Sequence, residues 1–306
     1  MGIGMSDEIV TRLINITGKD NVRINEPMKN HTTFKIGGPA QYYVTPESVT
    51  QIQEVVSLCK DKNISLHVIG NGSNILVGDD GVDGVVLALF NTFSDYEIKD
   101  NVITAQAGMS LIKLAVIALR EGLTGLEFAS GIPGSVGGAV YMNAGAYDGQ
   151  MKDVVTSVTV LDEAGNIRIL GRDELDMGYR TSAVAKHNMI VLQVIIELKA
   201  GNKEQIKDRM NQLSELRKQK QPLEYPSAGS TFKRPEGYFA GKLIADAGLK
   251  GYSIGGAAVS EKHAGFVVNM GGATAKDVVE LTDYIKKRII EQFGVTLELE
   301  IKKIGL

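Results

Sequence analysis

Apolar positions along this chain recur at two spacings, and the places where the spacing changes mark its elements. A three-to-four spacing through Ile9, Leu13 and Ile16 predicts a short leading helix, with Ser6 as N-cap and Gly18 as its stop. The same spacing in Val49, Ile52, Val55, Val56 and Cys59 predicts a second helix, begun by Thr45 and Pro46. Further helices are expected from the cap Ser110 to Glu121 with Gly122 behind it, over the charged, amphipathic Lys203–Lys220 ended by Pro222, over 238–247 ended by Gly248, and over Ala275–Phe293 ended by Gly294. Apolar runs and alternation predict strands at 41–44, 65–69 (buried), 85–89, 102–107, 154–161, 167–170, 190–198, 254–259, 265–269 and 295–304. Segment 96–98 folds back on 102–107 across Asp100-Asn101, and Ala164-Gly165-Asn166 closes a hairpin. Strands alternating with helices, and no internal repeat, suggest α+β layers. The composition changes near Gly201, where a domain boundary is expected.

A chain of 306 residues with 43% hydrophobic positions is long enough for two domains, each with its own core. The net charge of -3 gives no general attraction for nucleic acid or an anionic membrane. Small-molecule partners follow, and any anionic ligand must be held by local features. Cys59 is the single cysteine and has no partner within the chain, which fits a buried, inert thiol in a reducing compartment, the cytoplasm. No apolar run reaches membrane-spanning length, and the N-terminus lacks signal-peptide character. Met1-Gly2-Ile3-Gly4-Met5-Ser6 matches the bare N-myristoylation pattern, read here as a coincidence or as an upstream start with Met5 as the alternative. His31, His67, His187 and His263 are scattered without ligand spacing, so no metal site is expected. No serine sits in a nucleophile-elbow context.

Three glycine-rich loops change this ordinary picture. They lie at 30–40, at Gly70-Asn71-Gly72-Ser73-Asn74, and at 129–147, where the glycines run Gly131-x-x-Gly134-x-x-Gly137. Each alone reads as a turn. Together they expose far more main chain than turns require, and exposed N–H groups suit a large anionic ligand such as a dinucleotide. The match to the Rossmann fingerprint is poor, because Ile75-Leu76-Val77-Gly78-Asp79-Asp80-Gly81 breaks any helix that Gly70–Asn74 would open. The second part of the third loop is expected to be helical from Gly134.

The motifs Asn30-His31-Thr32-Thr33-Phe34-Lys35-Ile36-Gly37-Gly38, Gly70-Asn71-Gly72-Ser73-Asn74-Ile75-Leu76 and Ser130-Gly131-Ile132-Pro133-Gly134-Ser135-Val136-Gly137-Gly138 resemble the FAD-binding domain shared with vanillyl-alcohol oxidase relatives. With Gly178-Tyr179-Arg180, Ala228-Gly229-Ser230-Thr231-Phe232-Lys233, and Glu300 close to Ile304-Gly305, nearly the whole chain resembles the UDP-N-acetylenolpyruvoylglucosamine reductases, the MurB family. The resemblance implies an α+β fold: a two-subdomain FAD-binding domain of the vanillyl-alcohol oxidase (PCMH) type at 1–201, core about 34–200 and subdomains about 1–80 and 81–201, and a smaller α+β substrate-binding domain at 202–306. It implies non-covalent FAD held by Phe34, Ile36, Gly37, Gly70, Asn71, Gly72, Ser73, Asn74, Gly131, Ile132, Pro133, Gly134, Ser135, Gly137, Gly138, Asn143, Gly145 and Ala146, and NADPH as co-substrate. The substrate implied is the enolpyruvyl ether of UDP-N-acetylglucosamine, reduced in peptidoglycan precursor synthesis and so tied to the cell wall, cell shape and cell division.

In that reaction hydride reaches C3 of the enolpyruvyl group and a proton reaches C2. The resemblance assigns Arg180 to the substrate carboxylate, Ser230 to the proton, and Glu300 to support of the enolic form. Read singly, the three are an ion-pairing arginine, a capping serine and an edge-strand glutamate. Tyr179, Lys220, Lys233 and Arg234 are the expected substrate contacts, equally readable as solvated side chains. Two features depart from the family pattern. Arg234 stands where many members have asparagine, and the chain after Arg180 runs straight into the strand from Met189. This is the shorter subtype, without the inserted loop whose tyrosine covers the nucleotide, and its nucleotide clamp is left open. A monomer or weak oligomer is expected. Two rivals are a flavin oxidase of the vanillyl-alcohol type, which commonly anchors flavin covalently through histidine or cysteine, and a nucleotide-binding module without catalysis.

Overall fold

A computed structural model describes residues 5–306. The N-myristoylation pattern rests on residues outside the described ones. The chain forms two compact units that interleave along the sequence. One comprises the chain up to Ile24, Tyr42–Asn71 and Gly84–Leu216, the other Asn25–Gln41, Gly72–Asp83 and Arg217–Leu306. A single cut near Gly201 therefore does not separate them. The reason is packing: Phe34, Ile36 and Leu76 are buried in one core with Phe232, Leu243 and Ile285, far along the chain.

In the first unit a five-stranded antiparallel sheet runs in the order Ile167–Gly171, Val155–Leu161, Ile190–Glu197, Val102–Gln106, Tyr96–Lys99. Its hairpins are those expected from the sequence. Helix Leu111–Glu121 begins where Ser110 accepts the Lys113 N–H and ends at Gly122, φ 70°, in the left-handed region. Such a cap contributes about 1 kcal/mol. Helix Val49–Asp61 starts later than Thr45, because Ser48 caps it through the Gln51 N–H; Ile52, Val55, Leu58 and Cys59 are its buried stripe. Burial pushes the Cys59 thiol up to about 11, which keeps it protonated at neutral pH. The leading helix spans Met5–Thr17 among the described residues. Strand Leu66–Ile69 is an edge strand beside Val82–Ala88 and buries only Ile69, not the whole segment.

The second unit is built around helix Ala275–Phe293, whose Val278, Leu281, Ile285 and Ile289 face the core. Thr274 and Asp277 form a reciprocal capping box at its start. The Asp79 carboxylate accepts two more of its first N–H groups, from Ala275 at 2.7 Å and Lys276 at 3.0 Å. Helix Ala240–Asp246 and a small sheet of Ser253–Ile254, Ala257–Val259 and Val267–Asn269 complete the unit. The expected strand at 295–304 shortens to Lys302–Ile304, which pairs in parallel with Ile75–Val77. Before it, Leu299 makes an isolated antiparallel bridge to Phe232.

Candidate active site

The loop Gly70–Asn74 presents five consecutive backbone N–H groups, none of which donates to an acceptor among the described residues. Unpaired donors in a half-buried loop call for a ligand or water. The loop is held open by close approach. A Cβ on Gly70 would lie 2.1 Å from Ser135 Oγ, and one on Gly72, φ +60°, would lie 2.0 Å from the His31 carbonyl oxygen. Asn71 Nδ2 donates to Pro133 O at 2.6 Å, Thr33 N donates to Gly72 O at 3.1 Å, and Asn74 Nδ2 donates to Glu300 O at 3.2 Å.

The third loop is pinned at both sides of its turn. Leu111 N donates to Gly134 O, Val136 N to Met109 O and Gly137 N to Ala107 O, all within 2.9 Å. Gly137 has no room for a side chain, since a Cβ would meet Ala107 Cβ at 2.8 Å. Helix Val136–Tyr141 follows, two residues later than Gly134, with Ser135 as a buried N-cap accepting the Gly138 N–H at 3.2 Å. Gly131, Ile132, Pro133 and Gly134 remain half-buried, and Gly138 is exposed. Phe34 and Ile36, by contrast, are 1% and 2% exposed core residues; their loop offers only main chain, with Gly37 at φ +139° packed on Val77.

Beyond the helix, Gly145–Ala146 pairs with Gly149–Gln150 in a tight hairpin. The Asn143 amide is spent inside the protein, on Gln150, Gly178 and Lys152. Arg180 occupies a turn closed between Gly178 and Thr181, is half-buried, and donates from Nη1 to Gly145 O at 3.4 Å. Its guanidinium carbon lies 5.4 Å from the ring centre of the exposed Tyr179.

Ser230 and Glu300 belong to the second unit. Glu300 N donates to Thr231 O at 2.9 Å and Lys233 N to Glu298 O at 2.8 Å, so Thr231 lies opposite Glu300 and Ser230 precedes that pair by one residue. The Ser230 hydroxyl has no hydrogen-bond partner among the described residues. Lys233 is ion-paired with Glu298 at 3.0 Å, and the Arg234 guanidinium lies 3.9 Å from the centre of the exposed Phe239 ring. Lys220 is exposed at the end of its helix. Asn74 and Asn143 lie within the glycine-rich motifs, but nothing in the sequence indicates the bonds their amides make, and Asp79 carries no sequence signal for its part in capping helix Ala275–Phe293. Among the described residues no cluster of His, Cys, Asp and Glu could hold a metal, and no helix is long and apolar enough to cross a membrane.

Residues 40–171 match the FAD-binding domain family, which with the α+β framework makes this a flavoprotein. Residues 221–304 match the C-terminal domain of UDP-N-acetylenolpyruvoylglucosamine reductase. The chain is 52% identical over 287 residues to the reductase of that name from Clostridium perfringens, covering 94% of each. It is 51% identical over 290 residues to that of Clostridium botulinum, covering 95% of this chain and 94% of the relative. The crystal structure of the Thermus caldophilus reductase superimposes with a TM-score of 0.80 at 39% identity, covering 92% of this chain and 99% of that one. The chain belongs to the UDP-N-acetylenolpyruvoylglucosamine reductase family, and it is an oxidoreductase with an FAD-binding domain and the smaller domain that the family carries. Membership sets aside both the flavin oxidase and the non-catalytic module.

Proposed function

We propose that this enzyme reduces the enolpyruvyl ether of UDP-N-acetylglucosamine to UDP-N-acetylmuramate in the cytoplasm, with NADPH as reductant. It serves peptidoglycan precursor synthesis, and with it cell wall assembly, cell shape and division, as a monomer or weak oligomer without nucleic-acid or membrane partners. Residues 1–201 chiefly serve the cofactor and 202–306 the substrate. The observation that supports the reading is the pairing of Thr231 with Glu300 in a chain of this family, which ties the segment that follows Ser230 to the one that carries Glu300.

The loops fit FAD: five open N–H groups at Gly70–Asn74 suit a diphosphate, and no side chain fits at Gly70 or Gly72. Bound FAD, once reduced by NADPH, supplies the hydride to C3 of the enolpyruvyl group. Negative charge then develops on C2 and the carboxylate. Arg180 opposes it with a planar fork that grips a carboxylate through two parallel hydrogen bonds. Ser230 gives its proton to C2; a hydroxyl is a weak acid, but it meets a strong base. Glu300 stabilises the enolic form from a half-buried position. Lys220, Lys233 and Arg234 receive the diphosphate or the uridine, and Tyr179 is a further substrate contact. The test is an absorbance spectrum of the purified protein, followed anaerobically by NADPH and then substrate, on wild type and Ser230→Ala. In the variant, flavin is reduced at a near-normal rate and reoxidised by substrate orders of magnitude more slowly. Equal slowing of both half-reactions would remove Ser230 from this role.

A further inference from the structure

Asn143 is 2% exposed and adopts φ 41°, in the left-handed region. Its amide makes three hydrogen bonds: Nδ2 donates to Gln150 Oε1 at 3.0 Å and to Gly178 O at 2.9 Å, while Oδ1 accepts from Lys152 N at 3.0 Å. A carbonyl can only accept and a backbone N–H can only donate, so Gly178 and Lys152 fix the orientation of the amide between them. Both amide hydrogens are then used. Gly178 opens the Arg180 turn, in which Gly178 N donates to Thr181 O at 3.1 Å and Arg180 itself takes φ 55°. A non-glycine residue in that region is strained and persists when its surroundings impose it.

Two side chains impose it. Asn143 holds the first residue of the turn. Ser182, wholly buried, donates from its hydroxyl to Tyr141 O at 2.9 Å just past the turn. Tyr141 is the last residue of helix Val136–Tyr141, and Asn143 follows two residues on. The end of the glycine-loop helix thus grips the Arg180 turn on both flanks, and Gly145 O, two residues further, accepts from the guanidinium.

We infer that Asn143 is a positioning residue, fixing the Arg180 turn against the end of the helix that follows the cofactor loop. Its amide is spent on Gln150, Gly178 and Lys152. The inference rests on the carboxylate role proposed for Arg180, and deepens it: where the fork stands is set by the stretch 141–145.

Asn143→Gly keeps the left-handed backbone and deletes the amide. Asn143→Asp keeps the size and the acceptor for Lys152, but turns a carboxylate oxygen toward Gly178 O. In hydrogen–deuterium exchange on the FAD-loaded enzyme, both variants should exchange the 178–181 amides about tenfold faster, the equivalent of one lost buried hydrogen bond. Strand Ile190–Glu197 should not change. Reoxidation by substrate should slow on the order of 10- to 100-fold, the cost of a small misplacement, and by more than flavin reduction by NADPH slows. In an Arg180→Ala background, Asn143→Gly should add no further slowing. Unchanged exchange in the turn, equal slowing of both half-reactions, or additive effects in the double variant would each overturn the inference. Normal reoxidation in Arg180→Ala alone would instead break the role of Arg180, and the exchange measurement, which needs no substrate, tells that failure apart.

Discussion

The glycines of the glycine-rich loops and the glycine beside Ser230 are one residue type under opposite constraints. Gly70, Gly72 and Gly137 stand where a Cβ would come within 2.0 to 2.8 Å of Ser135, His31 or Ala107. Gly229 has nothing within 4 Å of the same position, and what requires it is φ +75°. In the loops, glycine permits close approach of main chain, which leaves N–H groups free to bind. Beside Ser230 it only turns the chain, and the chemistry proposed there belongs to the neighbouring side chain. The two regions should therefore fail differently: loop substitutions lose flavin and stability together, whereas substitutions around Ser230 keep the flavin and lose turnover.

The harshest break of that contrast is Gly72→Ala. The new methyl meets a backbone carbonyl oxygen that cannot rotate away, in a conformation alanine rarely adopts. The expected loss is about 3 kcal/mol or more, read as a lower unfolding midpoint and as protein that purifies without its flavin absorbance. A yellow, normally stable variant would show that the loop yields freely and that close approach is not its reason for being glycine. Next in size is Glu300→Ala. Its backbone N–H still pairs with Thr231, so flavin content should match wild type, while reoxidation by substrate slows roughly 10²- to 10³-fold, the range for removing one stabilising group. Flavin loss in this variant would dissolve the contrast from the other side.

How much of this was legible beforehand divides along the same line. Helices Lys203–Lys220 and Ala275–Phe293 agree with expectation to the residue, because periodicity and local caps determine them. The glycine loops stood out by composition alone. What stayed hidden depends on distant partners. Phe34 and Ile36 read as loop residues, and only the core formed with Phe232 and Ile285 explains their burial. The segment 295–301 has the alternation of a strand, yet its pairing with 231–233 is too short to make one. Asn143 stands in a legible stretch, but its positioning bonds do not show in the sequence, since they reach residues 7 to 35 positions away.

Gly229→Ala sharpens the comparison at lower cost. With open space around the position, only the backbone conformation is strained, worth about 1–2 kcal/mol. Thermal unfolding should show that modest loss with flavin fully retained, and Gly229→Asn should recover part of it, because asparagine tolerates the left-handed region. A loss as large as that in Gly72→Ala would mean that hidden packing, rather than chain direction, requires this glycine.

The smallest effect is expected outside both regions, at Asp277, and it separates electrostatic from steric control. Hydrogen bonding from the Thr274 backbone N–H chiefly holds its carboxyl below the ordinary 3.8; burial opposes this, and the Gly256 N–H and Thr274 hydroxyl assist. A folded-state value below the unfolded one means that the ionised form stabilises the fold at any pH above about 4, and that the contribution fades as pH falls through the folded value. Asp277→Asn should therefore cost about 0.5–1 kcal/mol at pH 7, and the gap between variant and wild type in unfolding midpoints should narrow as pH falls from 5 to 3. Gly72→Ala and Gly229→Ala involve no titrating group, so their deficits should hold across the same range. A gap for Asp277→Asn that stays constant down to pH 3 would show that the carboxyl acts through shape alone, as the loop glycines do.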